Sequence, residues 1–232
     1  MMPSLPEGYR ALIIGSSGTI GSAFLELLQA DPRCGEAIGI HRRSTPAINY
    51  ADESSIGMAA EALASSGPFH LIINTIGVLH TDAWSPEKKL ADVSYGQLES
   101  LFQINAFGPA TTLAKFSSLL AKENAVMAVI SAKVGSIEDN RLGGWYSYRA
   151  SKAALNMLIK TTAIELRRTQ PNTKLIALHP GTVNSRLSKP FKGEQIGRPA
   201  IDAARDMLAV LNQLPLSESG SFYSYSGEKL PW

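Results

Sequence analysis

The sequence predicts a single doubly wound α/β domain, in which a parallel sheet carries helices on both faces. Short apolar stretches alternate along the chain with longer stretches whose apolar residues recur at helical spacing. The short stretches are continuously apolar, which is typical of parallel strands that are buried on both faces. No repeat and no linker divides residues 1–232, so one domain is expected.

Seven strands are expected, each a short and mostly apolar run. They are Arg10–Ile14, Glu36–His41, Ala47–Tyr50, Phe69–Asn74, Val126–Ser131, Lys174–His179 and Gly220–Ser226. Because helices alternate with these runs, we expect successive strands to be parallel.

Five helices are expected between the strands. They are Thr19–Ala30, Asp52–Ser66, Ser94–Lys122, Ser147–Arg168 and Ile201–Leu214. The first two end before Asp31-Pro32 and Gly67-Pro68. The third is broken near Gly108-Pro109. The carbonyl of Asn105 would accept from the N–H of residue 109 in an α-helix, and proline has none, so that carbonyl is freed and the helix bends.

Composition excludes several classes of function. The net charge is +2 with no long basic run, so no nucleic-acid partner is expected. Cys34 is the only cysteine, which excludes an intrachain disulfide, and the four histidines show no metal-ligand spacing. No apolar run reaches membrane-spanning length, and the first residues lack the apolar core of a signal peptide. We therefore expect a cytoplasmic protein with no membrane partner.

A glycine-rich loop joins the first strand to the first helix. It reads Gly15-Ser16-Ser17-Gly18-Thr19-Ile20-Gly21. Gly15 permits a sharp turn, Gly18 lets the backbone approach a pyrophosphate, and Gly21 allows the helix to pack closely on the strand. The N–H groups at the start of the helix then face the anion. This setting predicts a dinucleotide site of the Rossmann type.

The end of the second strand indicates which dinucleotide binds. An NAD site usually has an acidic residue on the ribose hydroxyl about 20 residues after the glycines. Here His41 takes that place, and Arg42 and Arg43 follow. A guanidinium group matches the 2′-phosphate of NADP(H), so we predict NADP(H) rather than NAD(H). The alternative is that both arginines are solvated loop residues.

Tyr148 and Lys152 are candidates for acid–base chemistry. They lie four residues apart at the head of a predicted helix and share one face. A phenol loses its proton near pH ~10 in water, and a nearby cation lowers that pKa. Tyr148 could then exchange a proton with a carbonyl oxygen at neutral pH. The spacing alone is a weak motif and needs the context of the glycine loop.

These motifs resemble, in order along the chain, those of the short-chain dehydrogenase/reductase family. They are the three loop glycines, Asn74-Thr75-Ile76-Gly77, Asn105, Ser131, Tyr148-x-x-x-Lys152 and Pro180-Gly181-Thr182. The segment 134–154 resembles the branch of C-factor-like and sniffer-like carbonyl reductases. The resemblance implies NADP(H)-dependent reduction of a small-molecule carbonyl substrate, or the reverse oxidation. It also implies a homodimer or homotetramer formed through the long helices.

The resemblance further implies a role for each matching residue. Tyr148 would be the general acid/base, and Lys152 would hold the nicotinamide ribose and lower the Tyr148 pKa. Asn105 would order a water through its main-chain carbonyl. The other implied cofactor contacts are Ser17, Thr19 and Ile20 in the glycine loop, Asn74, Thr75, Ile76 and Gly77 on the adenosine side, and Pro180, Gly181, Thr182, Val183 and Ser185 at the nicotinamide end.

The pair Ser131-Ala132 departs from the family, which usually has two serines here, the second donating a hydrogen bond to the substrate oxygen. Three interpretations stay open. Ser131 takes the role, Ser136 reaches in from the following loop, or no serine serves and the developing charge rests on Tyr148 and another donor. We name Ser131 first. Ala132 also supports a second function, that of a non-catalytic dinucleotide-binding signalling or scaffold protein.

Three further expectations concern the substrate pocket. Leu142, Trp145 and Tyr146 form an apolar wall of the pocket or pack in the core. His179 is a hydrogen-bonded structural histidine. Trp84 and residues 182–198 cover the substrate as a lid.

Overall fold

The computed structural model describes residues 1–232 and contains one sheet of six strands. The strands are β1 (Tyr9–Ile14), β2 (Cys34–Ile40), β3 (Leu71–Asn74), β4 (Ala125–Ile130), β5 (Thr173–His179) and β6 (Ser221–Ser224). Their order is β2-β1-β3-β4-β5-β6, and every neighbouring pair is parallel. The strand order reverses between β1 and β3. A crevice opens there beyond the carboxyl ends of the strands, where open α/β sheets bind ligands.

Helices cover both faces of the sheet. They are α1 (Thr19–Gln29), α2 (Glu53–Leu63), α3 (Tyr95–Phe102), α4 (Gly108–Phe116), α5 (Tyr146–Thr169), α6 (Gly193–Ile196) and α7 (Ala200–Gln213). Met127 and Val129 of β4 belong to the core under α2, α4 and α5, whereas Val126 and Ala128 belong to the core under α1 and α7. This alternation explains why β4 is continuously apolar, and it confirms the doubly wound architecture. None of the helices has both the length and the apolar character needed to span a bilayer.

The third predicted strand, Ala47–Tyr50, is wrong, because this segment pairs with no strand of the sheet. Its side chains are still buried. The Tyr50 hydroxyl hydrogen-bonds the Thr112 hydroxyl at 2.7 Å and accepts from the Asn74 amide at 2.7 Å. A Cβ at Gly108 would lie 2.3 Å from the Tyr50 ring. Packing against α4 therefore fixes the segment, and this burial produces a strand-like sequence pattern without a hydrogen-bonded ladder.

The long helix expected over residues 94–122 is interrupted by a wider turn. Between α3 and α4 the backbone forms a π-helical turn at Gln103–Phe107, where the N–H of Gly108 donates to the carbonyl of Gln103, five residues back. Pro109 follows at the start of α4 and has no N–H to donate. The predicted interruption at Gly108-Pro109 is confirmed. It is a local change from hydrogen bonds that span four residues to hydrogen bonds that span five.

Candidate active site

Two adjoining cavities form a cleft at the carboxyl end of the sheet. The larger, about 620 Å³, is lined by Tyr148 and Lys152 and is called here the Tyr148 cavity. The second, about 480 Å³, is lined by Gly15 and Gly18 and is called the Gly18 cavity. Both are lined by residues 75–77, which join them. The cleft therefore offers separate compartments for the two halves of a dinucleotide.

The glycine loop shapes the cleft for steric reasons. Gly15 has a φ of 91°, which side chains of L-residues rarely adopt. A Cβ at Gly21 would lie 2.2 Å from the Gly15 carbonyl oxygen, so only glycine lets α1 approach the end of β1 this closely. The predicted loop contacts that line the cleft are Gly15, Ser17, Gly18 and Ile20, and those that do not are Thr19 and Gly21.

Arg42 is the only lysine or arginine that lines the Gly18 cavity, and no aspartate or glutamate lines it. His41 lines the cavity beside it. Arg43 does not, and its main-chain N–H donates to His41 Nδ1 at 3.1 Å. An additional phosphate in this cavity would meet a guanidinium group and no carboxylate. The structure therefore places His41 and Arg42 in this cavity and Arg43 outside it.

Tyr148 and Lys152 both project from the first turns of α5 into the Tyr148 cavity. They are 7% and 2% exposed. Lys152 Nζ donates to the Ile130 carbonyl at 3.0 Å and lies 6.0 Å from the centre of the Tyr148 ring. Burial lowers the pKa of Lys152 to about 8 and raises the pKa of the Tyr148 phenol. The expected lowering of the Tyr148 pKa is therefore absent in this geometry, where burial is the cause of the shift.

Asn105 is fully buried in the π-helical turn. Its side-chain oxygen accepts from the Val78 N–H at 2.9 Å, and its amide donates to the Val78 carbonyl at 2.8 Å and to the Ser151 hydroxyl at 3.1 Å. The side chain thus ties the loop after β3 to α5. This side-chain role of Asn105 was not predicted from the sequence, which pointed only to its main-chain carbonyl.

Asn74 corrects another prediction, because it lines neither cavity. It is 1% exposed, its amide donates to the Tyr50 hydroxyl, and its oxygen accepts from the Ile76 N–H at 3.1 Å. Asn74 therefore shapes the loop that lines the cleft, and the lining itself falls to its predicted neighbours Thr75, Ile76 and Gly77.

The five residues predicted at the nicotinamide end all line the Tyr148 cavity. They are Pro180, Gly181, Thr182, Val183 and Ser185. His179 lines the same cavity, and its Nδ1 is buried without a hydrogen-bond partner. The prediction of a hydrogen-bonded structural histidine is therefore wrong. Burial lowers the pKa of His179 to about 4, so its imidazole is neutral at neutral pH.

The serine that the family uses has no direct replacement in this cavity. Ser131 lines the cavity, but its hydroxyl donates to Asn156 Oδ1 at 2.6 Å. The hydroxyl proton is therefore not available to a substrate oxygen. The Ser136 hydroxyl donates to the Trp232 carbonyl at 3.1 Å and does not line the cavity. Ala132 lines it and packs beside Tyr148. Of the three interpretations, the geometry favours the one in which no serine serves.

An aromatic bridge crosses the cleft. The Phe191 ring lies 5.0 Å from the Trp145 ring and 6.0 Å from the His80 ring, and Trp145 lies 6.2 Å from Tyr148. Phe191 belongs to the segment expected to form a lid, and it lines the Tyr148 cavity.

The predicted wall of this cavity is partly correct. Leu142 and Trp145 line it, whereas Tyr146 lies outside. Trp84, expected to cover the substrate, lines the Gly18 cavity instead.

The short chain dehydrogenase family model matches residues 10–195. The chain belongs to the short-chain dehydrogenase family. It is 36% identical over 168 residues to C-signal of Myxococcus xanthus, which covers 72% of this chain and 95% of that protein. It is 29% identical over 188 residues to 1-hydroxy-2-glutathionyl-2-methyl-3-butene dehydrogenase of a Rhodococcus strain, covering 81% of this chain and 79% of the relative.

Solved structures of the short-chain dehydrogenase fold superpose along nearly the whole chain. The NADPH-bound carbonyl reductase from chicken fatty liver gives a TM-score of 0.82 at 22% identity, covering 98% of this chain and 100% of that one. The carbonyl reductase Sniffer of D. melanogaster gives 0.81 at 18% identity, covering 97% and 99%. At these identities the likeness establishes the fold of this short-chain dehydrogenase.

Arg149 is a residue of this site that was not predicted from the sequence. Its guanidinium group lines the Tyr148 cavity and donates to the carbonyls of Val134, Gly143 and Gly144 at 3.0–3.2 Å. It thereby joins the two ends of the loop between β4 and α5. All its acceptors are main-chain groups, so no side-chain pattern could have shown them. The only signal was the glycine pair, which permits an unusual turn.

Charged side chains were also missed at the rim of the cavity. They are Lys133, Asp139 and Arg141. The pocket of this short-chain dehydrogenase is therefore less uniformly apolar than the sequence suggested.

Proposed function

We propose that this short-chain dehydrogenase is an NADP(H)-dependent oxidoreductase of the carbonyl reductase type. One observation carries the proposal. The cavity that holds Tyr148 and Lys152 adjoins a second cavity, which Arg42 lines as the only lysine or arginine and which no carboxylate lines. The first offers a proton donor, and the second offers a cation where a 2′-phosphate needs one.

The residues present fit this cofactor. The glycine loop brings the backbone close to the cleft, and a Cβ at Gly21 would clash with the Gly15 carbonyl oxygen of that loop. Arg42 and His41 would hold the adenosine end, and residues 180–183 with Ser185 would hold the nicotinamide end. When bound, NADP(H) supplies or accepts the hydride.

Tyr148 would move the proton. Its phenol stays protonated in the buried cavity, because burial raises its pKa, and it can therefore donate to a carbonyl oxygen during reduction. Lys152 is protonated below a pKa of about 8, and its ammonium group would stabilise the phenolate that the donation leaves. Asn105 holds the turn of α5 that carries Ser151, between these two residues.

Substrates would be small apolar aldehydes, ketones or quinones. Trp145, Leu142 and Phe191 provide the apolar surface of the cavity, and Ala132 replaces a hydroxyl beside Tyr148 with a methyl group. A protein of the same fold, from chicken fatty liver, is described as an NADPH-bound carbonyl reductase.

Tyr148→Phe tests the chemistry. The variant keeps the ring and loses the proton, so we expect turnover of a panel of carbonyl compounds to disappear while NADPH still binds. Nicotinamide absorbance measures turnover, and calorimetry measures binding. Full activity in Tyr148→Phe would remove the proposed mechanism.

Arg42→Ala tests the cofactor, with Arg43→Ala as its matched control. We expect Arg42→Ala to weaken NADPH binding by about tenfold or more with little effect on NADH, since it removes a charged hydrogen-bond partner. Arg43 does not line the cavity, so its variant should bind both as the wild type does. Equal losses in the two variants would contradict the assignment of Arg42.

A second candidate function is that of a dinucleotide-binding signalling protein. The name of the Myxococcus relative, C-signal, and the alanine at position 132 favour it. The two candidates differ in one measurement, because only the enzyme consumes NADPH when carbonyl compounds are added.

A further inference from the structure

Glu87 is a buried carboxylate that contacts the start of the helix carrying Tyr148 and Lys152. It lies between β3 and α3 and is 2% exposed. Its side-chain oxygens accept from the Ser147 N–H at 3.2 and 3.3 Å and also from the Ser147 hydroxyl. Its main-chain carbonyl accepts from the Trp145 N–H at 2.6 Å. Glu87 therefore binds the residues immediately before Tyr148 through both its side chain and its backbone.

The chain reaches α5 through an unusual turn. Gly143, Gly144 and Trp145 have φ values of 62°, 63° and 52°, so three successive residues are left-handed. Trp145 is not glycine, and this conformation costs it free energy. It precedes the first residue of α5 without offering a side-chain cap. The first N–H groups of a helix have no partner within the helix, so this turn needs an external acceptor.

Glu87 supplies that acceptor. A carboxylate makes charge-assisted hydrogen bonds and is stabilised at the positive end of a helix. The 78–87 segment is thus tied to α5 at both ends. Asn105 links Val78 to Ser151, and Glu87 binds Ser147.

We propose that Glu87 is a positioning residue for the reaction proposed above, on which this inference rests. It holds the left-handed turn and the first turn of α5 so that the Tyr148 phenol faces the cavity. Glu87 does not line either cavity, so it acts on the reaction only through Ser147 and Trp145.

The test compares Glu87→Ala with Glu87→Gln, which keeps an acceptor oxygen. We expect Glu87→Ala to lower kcat by about tenfold or more with little change in KM for NADPH, because a small displacement of a reacting group is costly. Glu87→Gln should restore most of kcat. Glu218→Ala is the matched control. Glu218 also accepts several hydrogen bonds, from Ser221, Tyr223 and Lys229, but lies outside both cavities, so its loss should lower stability without lowering kcat.

Hydrogen exchange at the Ser147 amide gives a second measurement that needs no turnover. Exchange should accelerate in Glu87→Ala and stay slow in Glu87→Gln. Wild-type kcat in Glu87→Ala, or unchanged exchange, would overturn the inference. If Glu87→Ala does not fold, the Ser147→Ala variant, which removes the hydroxyl donor alone, should also lower kcat. An unchanged kcat in Ser147→Ala would then contradict the positioning role of Glu87. If the wild type reduces no carbonyl compound but the Ser147 amide exchanges as expected in the two Glu87 variants, the proposed function is refuted. The contact between Glu87 and the start of α5 is then still supported.

Discussion

At the scale of single residues, Lys152 is held in its ammonium form at a cost in stability. Its pKa is about 8 in the folded protein, below the value near 10.4 expected when unfolded. Below pH 8 both states carry the proton, and the folded state bears the full cost of burying it. Between pH 8 and about 10.4 the folded state loses the proton first, so the unfolded state binds more protons and stability rises with pH.

Lys152→Met removes this dependence. Between pH 7 and about 10, we expect the unfolding free energy of the wild type to rise by as much as about 3 kcal/mol relative to the variant. Denaturant unfolding at the two pH values measures the difference. If the difference in unfolding free energy between wild type and variant is the same at both pH values, the pKa of Lys152 is not lowered by folding.

The Ser131→Ala variant shows whether the Ser131 hydroxyl contributes to the stability of the fold or to catalysis. The hydroxyl donates to Asn156, and removing it leaves a buried amide oxygen without that partner. We expect a loss of about 1–3 kcal/mol in unfolding free energy. We also expect kcat/KM to fall by less than the about hundredfold that removal of a transition-state donor costs. Kinetics and unfolding of one variant measure both, and a hundredfold loss of kcat at unchanged stability would return Ser131 to the catalytic role.

Residue roles were predictable where they depend on local spacing. Tyr148 and Lys152 share a helical face, and the structure places both in one cavity. Asn74 was assigned by its position in a motif, but its side-chain direction depends on a distant neighbour, Tyr50. Arg43 was assigned from its guanidinium group and its place after the second strand, and it lies outside the cavity. Glu87 was not found because its partners lie 60 residues away.

At the scale of elements, we expect the π-helical turn between α3 and α4 to depend on Pro109. Pro109→Ala supplies the missing N–H, which allows the Asn105 carbonyl to accept in an α-helical ladder. We expect the turn to tighten and Asn105 to rotate away from Val78 and Ser151. The result should be a loss of about tenfold or more in kcat, because Tyr148 is then less well positioned. Lys115→Ala, on the exposed side of α4, is the control. Retained activity with a retained π-helical turn would mean that packing alone sets the ladder.

The strands were predicted to within a few residues because continuous apolar runs coincide with burial on both faces. All six observed strands overlap a predicted one. The extra strand at Ala47–Tyr50 shows the limit of the pattern. Burial of Ile48 and Tyr50 produces an apolar signal, but Tyr50 is held by side-chain contacts with Asn74 and Thr112, and β2 remains an edge strand.

At the scale of the whole molecule, assembly through the long helices stays a prediction. Met157 and Ile164 lie seven residues apart on one face of α5 and are 66% and 47% exposed, and Phe107 of the adjacent turn is 58% exposed. We expect the wild type to sediment as a dimer or tetramer. Met157→Arg with Ile164→Arg should give a monomer that still binds NADPH, because charges would be buried unpaired in the interface. A monomeric wild type would refute the prediction.

The three tryptophans are distributed so that they can act as independent optical reporters. Trp84 lines the Gly18 cavity, Trp145 lines the Tyr148 cavity, and Trp232 stacks on Phe222 with ring centres 5.6 Å apart, outside both. Single-tryptophan variants would let the emission of each indole be recorded in turn. The arrival of a ligand in either compartment could then be timed separately, and the variant that keeps only Trp232 would serve as the reference for changes outside the cleft.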